Sequence, residues 1–211
     1  MPAPEAFSTS SANSRPVLGH VNLMVDTFIA NASADDLRAV VRGLLASGTP
    51  GLAASFTSAA RHRLHHTASK PGANSRRFFV VSAQDPEATP TAVSTPQLHA
   101  SLAQARSYYG VGMGFASLPI FTDIVLSTLK LQWEDDSEMA DALSIVDSDI
   151  TQAIQSAKEE IDAGRVMDWT TAHSVVDDLR RAIHDCHREV KSWGGDLPLV
   201  RAASSLQYWK L

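Results

Sequence analysis

One apolar stripe limits the architectures open to this chain more than any other feature. Between residues 171 and 193, Ala172, Val176, Leu179, Ile183, Cys186, Val190 and Trp193 recur at alternating spacings of four and three. That period puts all seven on one side of a helix of about six turns, with charged residues on the other side. A second stripe of near-heptad spacing precedes it: Met139, Leu143, Val146, Ile150, Ala153, Ala157 and Ile161, closed by Gly164. The two stripes are expected to pack on each other as a long antiparallel hairpin. Asp147-Ser148-Asp149 threatens to interrupt the second one.

Shorter helices lead up to this hairpin. Ser33 with Asp36 resembles a capping box, and Leu37, Val40, Val41, Leu44 and Leu45 follow at helical spacing until Gly48. Thr49-Pro50 and Thr95-Pro96 each combine a capping hydroxyl with a proline suited to the first helical position. Residues 117–130 are apolar on nearly all sides (Ile120, Phe121, Ile124, Val125, Leu126, Leu129), which places that helix at the centre of a domain. Residues 67–94 hold Pro71, Gly72, Pro86 and Pro90 and read as a flexible loop, the RFFVV run at 77–81 included. Residues 1–16 read as a disordered tail. The expected fold is all-α: a single domain over residues 17–211 of six to seven helices, orthogonal or bundle-like, with the long C-terminal hairpin.

Charge is unevenly spread. The net charge is −5. Residues 1–110 carry nine basic and six acidic side chains, and residues 111–211 carry nine and seventeen. Either the two halves face each other or one face awaits a charged partner. The basic interval from Arg61 to Arg77 is a weak footprint for nucleic acid, with only Phe78 and Phe79 as neighbouring aromatics. A single cysteine, Cys186, excludes an internal disulfide. No secretory h-region stands out, and the longest apolar run is broken by Pro119, Asp123 and Lys130. A cytoplasmic or nuclear protein without a membrane span is expected.

Four constellations are candidates for chemistry. His184 and His187 lie three apart, but Arg180 and Arg188 flank them and would repel a metal. His62 and His66 are four apart, the spacing of helix-borne zinc pairs, without the accompanying glutamate. His173 and Asp177 are also four apart, so that Asp177 can orient His173 as a general base; with His187 they are the candidate catalytic residues. Gly110, Gly112 and Gly114 form a glycine turn after Tyr109. The strand that a dinucleotide fingerprint requires is missing, and so is the lysine of a P-loop. Backbone N–H groups at this turn, flanked by Tyr109, make it one candidate anion or ligand site; His62 and His66, where histidine and arginine alternate, are a separate one. No metal site and no cofactor is expected. The functional expectation is a helical interaction or scaffold module that binds a protein partner or itself. Its alternative is a small helical enzyme or small-molecule binder with an apolar pocket near helix 117–130.

Overall fold

The computed structural model describes residues 23–68, 77–82 and 91–211. Among these the fold is helical, with eight helices and one small sheet. The helices are α1 (Leu23–Asn31), α2 (Ala34–Ala46), α3 (Leu52–Ala68), α4 (Pro96–Tyr109), α5 (Gly114–Leu126), α6 (Glu138–Asp162), α7 (Trp169–Trp193) and α8 (Val200–Gln207). Two strands, β1 (Phe79–Ser82) and β2 (Thr91–Ser94), lie between α3 and α4. The chain divides into two compact units, residues 1–55 and 56–211, with the boundary inside α3.

In the larger unit, α5 is the centre. Leu118, Phe121, Ile124 and Val125 are fully buried, and α4, α6 and α7 all pack on this one helix. That is why it is apolar nearly all round. The α7 stripe is buried as its spacing requires, from Ala172 to Val190, and Asp168 caps its start by accepting from Thr171 N–H at 3.0 Å. The α6 stripe is buried from Met139 to Ala157. One expectation needs correction. The two stripes do not chiefly seat on each other; the extensive contacts of both are with α5, which takes the place that the hairpin reading gave to a partner stripe. Proline also misleads about α5. The helix begins at Gly114 rather than at Ser117, and Pro119 lies inside it without an N–H to donate to the preceding turn.

The expected loop at 67–94 is partly a sheet. Phe79–Ser82 pairs antiparallel with Thr91–Ser94, and Phe78, Phe79 and Ala92 enter the core. Residues 69–76 and 83–90 lie outside the described residues, as do the expected tail 1–16 and residues 17–22. Adjacent Phe78 and Phe79 are both buried while Val80 and Val81 are exposed, so the period-two signal of a strand is absent.

Five acidic residues of α6 and α7 are tied to neighbouring elements. Asp147-Ser148-Asp149 does not interrupt α6; both carboxylates are buried. Asp147 accepts from the backbone N–H groups of Ala202 (2.8 Å) and Arg201 (3.3 Å) at the start of α8. This helix has no cap of its own, because Leu199 precedes it at φ 59°. Glu160 accepts from Phe115 N–H at 3.2 Å at the start of α5, where Met113 provides no side-chain cap. Glu189 accepts from the N–H of Lys130, the other non-glycine residue with positive φ. Glu138 receives the N–H and hydroxyl of Ser94 in β2. Carboxylates at helix starts satisfy orphan donors and lie at the positive end of the helix dipole.

The smaller unit is built differently. Ser33 caps α2, accepting from Asp36 N–H at 3.1 Å, and Gly48 ends it at φ 69°. Yet no residue of α2 is buried, although Leu37, Val40, Val41, Leu44 and Leu45 share one face. In α1, Val25, Phe28 and Ile29 are likewise exposed.

Candidate functional site

The glycine turn between α4 and α5 is the most chemically loaded point of the larger unit. Tyr109 ends α4, and Gly110 caps it in a right-handed conformation that any residue can adopt. Gly112 differs: it sits at φ 75°, where side chains are strained. Gly114 has an ordinary φ but a second reason to be glycine. A Cβ there would lie 2.2 Å from Ala157 N and 2.5 Å from Ala157 Cα, so α5 and α6 touch backbone to backbone. Ser156 fastens the same contact by donating its hydroxyl to the Tyr109 carbonyl at 2.8 Å.

Two guanidinium groups converge on this turn. Arg61, from α3, donates Nε–H to the Val111 carbonyl at 2.6 Å. Arg165, just after α6, donates Nη2–H to the Gly112 carbonyl at 3.3 Å. The point where a Gly112 Cβ would stand is 3.0 Å from Arg165 Nη2 and 3.2 Å from Arg61 Nη2. Among the described residues neither arginine has an ion-pair partner, and the buried Nε of Arg165 has no hydrogen-bond acceptor.

Tyr109 faces another way. Its hydroxyl donates to Asp149 at 2.9 Å, and Arg106 grips the same carboxylate through Nε and Nη2. Burial, with the Asp149 hydrogen bond second, pushes the Tyr109 phenol up to about 12. This triad joins α4 to α6 across the basic and acidic halves of the sequence.

The candidate histidines occupy separate places. His62 and His66 face each other on α3, exposed, Nε2 to Nε2 at 3.3 Å, with His62 next to Arg61 in the chain. His187 donates Nε2–H to the Pro198 carbonyl, which fixes its tautomer and ties α7 to the segment before α8. His173 is exposed beside Trp169, with ring centroids 6.5 Å apart, while Asp177 pairs with Arg180 instead. The three candidate catalytic residues are therefore not brought to one point. His184 is exposed beside Asp185. Among the described residues no group of three potential ligands could hold a metal ion. Cys186 is buried, with the Thr128 hydroxyl 3.4 Å from Sγ, and burial pushes its thiol up. Trp133 and Trp193 meet edge to face at 5.3 Å and Trp209 packs on Phe115 at 5.9 Å, whereas Trp169 is half exposed.

Two surface features complete the picture. A groove of about 400 Å³ runs along α5 and α7; its lining includes the apolar Pro119, Leu126, Val175 and Ala182 and the charged Asp123, Asp178, Arg181 and Asp185. It includes none of His173, Asp177, His187 and Gly112. The second is the apolar face of α2, on which Val40 and Leu44 are exposed and Leu37, Val41 and Leu45 half-buried; Arg38 pairs with Asp35 of the same helix at 2.7 Å. Among the described residues no helix is long and apolar enough to cross a membrane.

Sequence spacing marks the glycine turn but not its arginines. Arg61 and Arg165 approach it from positions about fifty residues away on either side, and no local pattern encodes that meeting. Comparison with family models, curated proteins and solved structures finds no match to this chain, so the chemistry rests on its own residues.

Proposed function

We propose that this protein is a self-associating helical interaction module, with α2 of one copy packing antiparallel on α2 of another. One observation carries the reading: five apolar residues share a face of α2 and none of its residues is buried. Each Leu or Val contributes about 1.5–3 kcal/mol when fully covered, so a two-fold pairing of this face is a sizeable driving force. The charges favour a second copy as the occupant. Antiparallel pairing keeps the acidic starts of the two copies apart and sets the helix dipoles antiparallel, while Arg38 stays paired with Asp35 of its own helix. Parallel pairing would stack Asp35 and Asp36 on their own copies. Spacing of 37, 40, 41, 44 and 45 suits such a seam.

The test is size-exclusion chromatography with light scattering on the full chain and on the double variant Val40→Glu, Leu44→Glu. Wild type is expected to run as a dimer and the variant as a folded monomer by circular dichroism. Equal masses for the two proteins would remove the reading.

A second reading draws on the α5–α7 groove, whose apolar lining includes Pro119 and Leu126 of the central helix. A small apolar ligand held there would shift the resonances of Val175 and Ala182 in a methyl-detected titration. Unmoved resonances across a panel of such ligands would exclude it.

A further inference from the structure

We propose that Arg61 and Arg165 form a binding site for a phosphate group at the Gly112 corner. Like charges repel, and two guanidinium groups directed at one point are costly unless something negative lies between them. Here both Nη2 atoms stand about 3 Å from the position where a Gly112 side chain would project. Their present acceptors, the Val111 and Gly112 carbonyls, are neutral. Glu160 lies five residues before Arg165 but turns its carboxylate to Phe115 N–H instead.

Arg165 also keeps a buried Nε–H without an acceptor. Nearly all buried donors in folded proteins find an acceptor, and an unpaired one on a charged group is especially costly. A guanidinium presents several N–H donors in a planar fork that matches the oxygens of phosphate. Two forks from different elements bridge a tetrahedral dianion better than a single carboxylate. The glycine supports this role: a side chain at 112 would displace both guanidinium ends. The bland account is that both arginines merely cap the last carbonyls after α4.

Calorimetric titration of the full chain with inorganic phosphate, at low ionic strength, separates the two accounts. Potassium chloride of matched ionic strength is the control, sodium acetate the carboxylate control, and Arg61→Gln, Arg165→Gln and Arg201→Gln the variants. Saturable phosphate binding is expected, weakened about tenfold or more by either of the first two substitutions and unchanged by the third. Glycerol phosphate in a parallel titration shows whether a small ester is taken in preference to the free ion, and either answer supports the site. The proposal is overturned if chloride or acetate reproduces the phosphate signal. It is equally overturned if both variants, shown to be folded, bind phosphate as wild type does. Loss of thermal stability in Arg165→Gln, with no phosphate response in wild type, would assign the pair to capping alone.

Discussion

At the scale of single residues, the turn at 110–114 shows how three glycines answer three demands. Gly112 supplies a positive φ, Gly110 leaves room for the Arg106 carbonyl oxygen, which a Cβ there would meet at 2.8 Å, and Gly114 lets two backbones touch. Gly114→Ala therefore drives a methyl group into the backbone of α6, which cannot yield as a side chain can. Overpacking costs about 1–3 kcal/mol, and at this contact the upper end is expected, roughly 6–12 °C in Tm for a chain of this size. A thermal scan checks it; an unchanged Tm would mean that α5 and α6 are further apart than described. Tyr109 gives a residue-scale prediction in pH. Its phenol is raised to about 12 from an ordinary 10.0, so its contribution to stability is complete below pH 10 and is lost as pH rises through about 12. In an alkaline ultraviolet titration Tyr109 is expected to ionise near 12, and Asp149→Asn is expected to lower that midpoint. A Tyr109 phenol that ionises near 10 in the folded protein would contradict the Asp149 triad.

At the scale of elements, local order was legible and non-local order was not. The Ser33 and Thr95 caps and the α7 stripe follow from residues within one or two turns, so spacing alone finds them. The partners of α6 and α7 were misjudged, because two stripes of matching period look complementary until a third, all-apolar helix is placed between them. The strands were missed because four-residue runs with adjacent buried phenylalanines carry no alternation. Most hidden was the use made of the acids. Asp147, Glu160 and Glu189 serve backbone donors on other elements, 45 to 59 residues distant, and no local pattern distinguishes them from solvated charges. The arginines at Gly112 were concealed in the same way. Asp147→Ala tests the principle on α8. It removes the acceptor for two N–H groups beneath a helix whose own start is capped by no side chain. A loss of about 0.5–2 kcal/mol is expected, concentrated in α8. Amide exchange should quicken at residues 201–207 while α5 and α7 keep their protection. Uniform acceleration, or none, would show that Asp147 does not hold this helix.

At the scale of the whole molecule, the two units differ in how they satisfy their apolar residues. The larger unit encloses its own stripes around α5. In the smaller unit the α2 stripe has no buried member. An amphipathic helix draws most of its stability from packing of its apolar face, so α2 is the element with most to gain from association. Sedimentation velocity of the full chain over a hundredfold range of concentration reads this most directly. The account predicts a sedimentation coefficient that rises from monomer to dimer with concentration, and a Val40→Glu, Leu44→Glu variant that stays monomeric throughout. A wild-type chain that remains monomeric at every concentration, or a variant that dimerises like it, would contradict self-association through α2.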